Sequence, residues 1–193
     1  MKKIVLATAN QHKVKEINQI LDGKIEFIGL DELGFDGEIP EDQITIEGNA
    51  HQKADFIFQK YGLATIAEDT GLFVNALGGD PGVYSARYAS KQHSNLSNID
   101  LLLKKLSPFE DRSAYFKTVF CLVTNNGIQY FDGICKGRII KNPSGVGGFG
   151  YDPIFTPDGY EITFAEMDSL TKNKISHRGI ALENFIKSFN LSD

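Results

Sequence analysis

Four short stretches of this 193-residue chain carry residue types whose spacing can do chemistry. The first is Thr8-Ala9-Asn10-Gln11-His12-Lys13, set between a β-branched run and a helical one. A helix N-terminus presents unpaired N–H groups and a partial positive charge, so it accepts phosphate. Thr8 and Asn10 add short hydrogen-bonding side chains and Lys13 a full charge. The alternative is that Thr8 or Asn10 caps the helix and Lys13 is solvated. The glycines of a P-loop are missing. The second stretch is Glu68-Asp69-Thr70-Gly71, placed at the C-terminal end of an expected strand, where open α/β sheets bind ligands. Adjacent carboxylates there can hold Mg²⁺, and one of them can act as general base on a metal-bound water. An ordinary turn uses the same residue types.

The third stretch runs from Asn142 to Pro153 and holds Gly145, Gly147, Gly148 and Gly150. Glycines let a backbone approach a ligand closely. Phe149 and Tyr151 offer flat faces for stacking on a base, and Asp152 can accept hydrogen bonds from a base edge or a sugar. A flexible linker would carry glycines too. The fourth stretch joins Lys172 to Ser176-His177-Arg178-Gly179. It concentrates positive charge at the expected start of the last helix, where the macrodipole disfavours it and an anionic ligand would remove the penalty. Two basic clusters, one acidic cluster and one aromatic glycine-rich loop suit a nucleoside triphosphate with Mg²⁺.

These residues need elements to position them. A short buried strand over residues 3–7 is followed by a helix over 10–21, in which Val14, Ile17 and Leu21 line one side and Gly23 supplies a stop. A second strand spans 24–28, and the acidic stretch 31–43 reads as an exposed loop. A helix over 45–61 leads into a strand over 63–67. Gly78 to Gly82 reads as a loop, and a third helix near 99–106 ends at Ser107-Pro108. Asn125-Asn126-Gly127 then joins two β-rich runs, 113–124 and 128–140, as a long hairpin. A helix over 172–189 closes the chain. The pattern is mixed α/β.

Composition bounds the reading. With 20 basic against 25 acidic residues the net charge is −5, which argues against a protein that mainly neutralises a nucleic-acid backbone. A local cluster can still reverse that sign for one small anion. Cys121 and Cys135 are too few for a disulfide framework or a four-cysteine zinc site, and both sit in apolar runs as expected buried thiols. The apolar run at the N-terminus is too short for a signal peptide, and no stretch nears the ~20 apolar residues of a membrane span. A soluble cytoplasmic protein is the expectation.

The order of these blocks resembles the inosine triphosphate pyrophosphatase family, the non-standard purine NTP pyrophosphatases. The likeness runs through Thr8-x-Asn10-x-x-Lys13, Asn49-Ala50-x-x-Lys53-Ala54, Glu68-Asp69-Thr70-Gly71-Leu72 and the run from Leu77 to Tyr88. It continues through Gly147-Gly148-Phe149-Gly150-Tyr151-Asp152-Pro153 and Ser176-His177-Arg178-Gly179. The resemblance implies hydrolysis of ITP, dITP and XTP to the monophosphate and pyrophosphate, which cleanses the nucleotide pool. It implies one domain over residues 1–193, built as a long central mixed sheet with two α/β lobes and a substrate cleft between them, in a homodimer. By position, Thr8, Ala9, Asn10, Gln11, His12 and Lys13 cradle the phosphates and Lys53 projects toward them. Asp69 is the metal ligand and general base, with Glu41 or Glu68 as the second metal carboxylate and Thr70 beside the substrate. Phe149, Gly150, Tyr151 and Asp152 bracket base and sugar, while Lys172, His177 and Arg178 reach the base edge. One departure bears on the metal: relatives often carry Glu before Asn49, where this chain has Gly48.

Overall fold

The computed structural model describes residues 4–21, 25 and 27–190, with the side chains of 189 and 190 excepted. In chain order the elements are β1 (Ile4–Leu6), α1 (Gln11–Leu21), β2 (Phe27–Ile28), α2 (Ile46–Tyr61), β3 (Thr65–Val74), β4 (Pro81–Gly82), α3 (Tyr88–Lys91), α4 (Asn98–Leu106), β5 (Ser113–Thr124), β6 (Gly127–Ile139), β7 (Phe155–Pro157), α5 (Ser169–Ile175) and α6 (His177–Asn190). Short 3₁₀ turns lie at Asn75–Leu77, Ser85–Arg87 and Asp152–Ile154. Among the described residues seven strands form one mixed sheet, in the order β2-β1-β3-β5-β6-β7 with β4 on β3. The α/β expectation holds.

The chain divides into two compact units. One comprises the chain up to Asp69, Thr118–Gly133 and the chain from Arg178 onward; the other comprises Thr70–Lys117 and Ile134–His177. In the first unit, β1 pairs in parallel with both β2 and β3, a pairing that needs crossover connections, here supplied through helices α1 and α2. Its core gathers Ile4, Leu6, Ile17, Leu21, Ile66, Phe120, Leu182 and Phe185. Helix α2 is well punctuated. The Thr45 hydroxyl accepts the Gly48 N–H at 3.0 Å, and Gly62, with φ of 65°, closes the other end on the Phe58 carbonyl. In the second unit, Leu72, Leu102, Leu106, Phe116, Ile154, Phe155 and Phe164 form the core.

The hairpin falls where Asn125-Asn126-Gly127 places it, and Gly127 takes φ of 128°, a value open to glycine. Along β6 from Phe131 onward every second residue is buried, as period-two alternation requires. Two expectations fail. Glu68-Asp69-Thr70-Gly71 does not end a strand: β3 runs straight through it for ten residues. The last helix is broken as well, because Ser176 is extended at φ −70° and ψ 153°. That leaves Lys172 in the last turn of α5 and His177 and Arg178 in the first turn of α6. The second strand is described only at Phe27–Ile28; Gly23, Lys24 and the first three residues lie outside the described residues.

Candidate active site

Because β3 is extended through Glu68 and Asp69, these neighbours point to opposite faces of the sheet. They cannot share one ion in the way adjacent turn carboxylates can. Glu68, 1 % exposed, meets Lys13 Nζ at 3.0 Å and Arg178 through Nε at 3.0 Å and Nη2 at 3.2 Å. Arg178 also donates through Nη1 to Glu16. Burial alone would push the Glu68 carboxyl up, but Arg178 and Lys13 together outweigh it and hold it at about 2. Arg178 resists deprotonation further still: burial opposes its charge, and Glu68 and Glu16 overcome that.

Asp69 has other company. Its Oδ1 accepts from Lys53 Nζ at 3.1 Å and its Oδ2 from Asn49 Nδ2 at 3.1 Å. The same Lys53 ammonium lies 3.0 Å from Glu41 Oε2. Burial raises the Asp69 carboxyl above its ordinary range, with Glu41 adding to the rise; Lys53, Lys13 and the Asn49 hydrogen bond offset this only in part. Lys53 also ends above its ordinary value, since Asp69 and Glu41 outweigh its desolvation. Helix periodicity explains the assembly. Asn49 and Lys53 sit in the buried stripe of α2 with Ile46, Ala50, Ala54 and Ile57. Polar residues in such a stripe need buried partners, and Asp69 supplies them. Asn49 is oriented by accepting the Gln43 N–H at 2.9 Å, and Gln52 bonds Asp42 twice, so the acidic loop is docked on α2 with Glu41 in place. Gly48 is the third residue after the Thr45 cap. A glutamate there would occupy the capping-box position, so its absence removes a helix-capping option, and the carboxylate beside Asp69 is Glu41.

The stretch before α1 is arranged as a cap. Asn10 Oδ1 accepts the His12 and Lys13 N–H groups at 3.0 and 3.3 Å, and Thr8 Oγ1 accepts the Asn10 N–H at 3.2 Å. Ala9, Asn10, Gln11 and His12 are exposed; Lys13 turns back to Glu68.

In the second unit, Asp152 Oδ2 accepts the Phe149 N–H at 2.7 Å and the Lys172 ammonium at 2.8 Å. Lys172 lies 5.4 Å from the Phe149 ring centre and 5.6 Å from that of Phe164. Gly150 is exposed and Thr70 half-buried. His177 is buried face-to-face on Phe116, ring centres 4.6 Å apart. Tyr151, expected to stack beside Phe149, is buried instead, and its hydroxyl donates to the Ser85 carbonyl at 3.0 Å. The positive charge of the fourth stretch already has carboxylate partners: Glu68 and Glu16 pair with Arg178, and Asp152 with Lys172. Sequence reading gave no role to Glu16, Asn49 or Ser85, although Asn49 and Ser85 stand in the family blocks. Asn49 carried a further signal, as an amide inside an apolar helical stripe. Among the described residues there is no group of three or more His, Cys, Asp or Glu side chains able to hold a metal, and no helix long and apolar enough to cross a membrane.

This arrangement can hold a polyanion by its lysines and activate a water at Asp69. The model of the Ham1 family matches residues 4–188. The chain belongs to the Ham1 family. Similar proteins include the dITP/XTP pyrophosphatase of Porphyromonas gingivalis, 48 % identical over 94 % of each chain, and that of Flavobacterium psychrophilum, 48 % identical over 97 % of this chain and 98 % of that one. Among solved structures, the Ham1 protein of Staphylococcus aureus covers 99 % of both chains at 37 % identity with a TM-score of 0.87. The Ham1 assignment agrees with the family resemblance read from the motifs.

Proposed function

We propose that this enzyme, a nucleoside-triphosphate pyrophosphatase like the relatives it matches, hydrolyses ITP, dITP and XTP between the α- and β-phosphorus. The products are the nucleoside monophosphate and pyrophosphate. The observation that carries the reading is the buried Asp69, held by Asn49 and Lys53 with Glu41 on the same ammonium. A carboxyl raised above its ordinary value is a better proton acceptor than an ordinary aspartate. Asn49 and Lys53 fix its two oxygens, so a water placed against Asp69 is oriented before it attacks the α-phosphorus.

Two carboxylates close to one cation fit Mg²⁺, which takes one or two protein carboxylates and completes its shell with water and phosphate. Glu41 and Asp69 would hold it, and when bound it supplies charge neutralisation on the phosphates and a more acidic water. Lys13 and Lys53 offset the charge that grows on the departing pyrophosphate. Glu68 and Arg178 keep Lys13 in its place. The purine stacks on Phe149, and Lys172, close to that ring, donates to its 6-oxo group. Adenine has an amine there, and the 2-amino group of guanine is left without a partner, a discrimination by hydrogen bonding that still admits the 2-oxo group of xanthine. A homodimer in the cytoplasm completes the proposal.

The test is a panel of ITP, dITP, XTP, GTP and ATP, with and without Mg²⁺, followed by pyrophosphatase-coupled phosphate release. ITP, dITP and XTP should show the highest kcat/KM, with Mg²⁺ required. Asp69→Asn should lower kcat by roughly 10²- to 10⁴-fold with a smaller effect on KM. Equal kcat/KM for ITP and GTP, or near-normal turnover in Asp69→Asn, defeats the proposal.

A further inference from the structure

The run from Leu77 to Tyr88 contributes no side chain to the chemistry proposed above, yet its Ser85 is buried and bonded to three separate stretches of the second unit. Ser85 Oγ donates to the Gly82 carbonyl at 2.6 Å and accepts the Leu72 N–H of β3 at 2.8 Å. The Ser85 carbonyl accepts the Tyr151 hydroxyl at 3.0 Å and Asn98 Nδ2 of α4 at 3.3 Å. Asn98 in turn accepts the Ala89 N–H at 2.8 Å, which ties the segment after Ser85 to the same helix.

We infer that Ser85 and Tyr151 are positioning residues for the loop that holds the nucleobase. The inference rests on the base-binding role proposed for Phe149 and Asp152. A loop with Gly145, Gly148 and Gly150 at φ of 82°, 69° and 61° gains little stiffness from its own backbone and needs tethers. Its first half has them: the Ser144 N–H bonds the Pro153 carbonyl, the Gly147 N–H bonds the Ala165 carbonyl, and the Ser144 carbonyl accepts Thr163 Oγ1. The second half carries Phe149 and Asp152, and Tyr151 lies between them. At Asp152 that half is held by Lys172 and the Ala165 N–H, and through the Tyr151 hydroxyl it is fastened to Ser85 and so to β3. Tyr151 thereby acts on the base through the placement of Phe149 and Asp152, without facing the base itself.

Tyr151→Phe keeps the ring in the core and removes only the tether. In the full-length chain, loss of this one hydrogen bond should raise KM for ITP about fivefold, with kcat at saturation changed by no more than about twofold. Competitive inhibition by inorganic tripolyphosphate, which offers phosphates and no base, should stay as in the wild type. Ser85→Ala, which loosens Ser85 from Gly82 and Leu72, should shift KM in the same direction where it folds. An unchanged KM in Tyr151→Phe overturns the inference. A lower kcat with unchanged KM also overturns it, because that marks a merely structural loss of active molecules. Equal weakening of ITP and tripolyphosphate overturns it too. If wild-type protein turns over none of ITP, dITP and XTP, the functional reading fails independently of the tether.

Discussion

Glu68→Gln keeps the shape of the side chain and removes the charge on which Lys13 and Arg178 converge. The gap between about 2 and the ordinary 4.5 of a glutamate corresponds to about 3 kcal/mol in favour of the folded, ionised form. Removing one partner of a buried ion pair costs about 3–5 kcal/mol on general grounds, and Arg178 keeps Glu16, so the lower end applies here. Against a total of about 5–15 kcal/mol, this is a large fraction. For a chain of this length the midpoint of thermal unfolding should fall by about 10 °C. Far-UV circular dichroism suits the measurement, since the chain has no tryptophan. The pH dependence carries the sign. The folded carboxyl lies below its unfolded value, so its contribution is complete above about 4.5 and is lost as pH falls toward about 2. The difference between wild type and Glu68→Gln should therefore be full at pH 7 and shrink steadily below 4.5. Equal stability of the two at pH 7, or a difference that grows on acidification, refutes the reasoning.

Asp69→Asn should behave oppositely in stability. Its carboxyl is raised in the fold, so ionisation detracts from stability as pH rises past the ordinary aspartate value, and the neutral amide should match or exceed wild type in urea at pH 7 even as turnover collapses. Gly148→Ala should raise KM for ITP more than it lowers kcat, because an added Cβ would lie 2.1 Å from Asp152 Oδ2 and φ is 69°; wild-type KM would contradict the Asp152 placement. Burial pushes the thiols of Cys121 and Cys135 up to about 12, so at pH 8 iodoacetamide should leave the native protein unmodified by mass spectrometry and alkylate both sites in denaturant. Rapid alkylation of the native chain would show that these strands open.

What the sequence alone determined is local. The β1-α1 opening, the Thr45 and Gly62 ends of α2, the Asn125-Asn126-Gly127 hairpin and the order of the motif blocks each depend on residues close together in the chain. Short-range sterics and capping decide such features, so they are legible without a fold. Tertiary structure decided the rest. Thr70 and Gly71 read as turn residues, yet β3 passes through them because it is a sheet strand beside β5 that pairs with β4 from Leu72 onward, and ladder bonds outweigh turn preference. That single difference sends Glu68 and Asp69 to opposite faces and leaves Glu41, from a loop without regular structure, as the carboxylate beside Asp69. Arg178 and Lys172 look like cations awaiting a ligand because their partners lie far off in sequence: Glu68 is 110 positions from Arg178, Glu16 162, and Asp152 is 20 from Lys172. Charge pairing over such separations follows from how the strands and helices pack, and no local pattern encodes it.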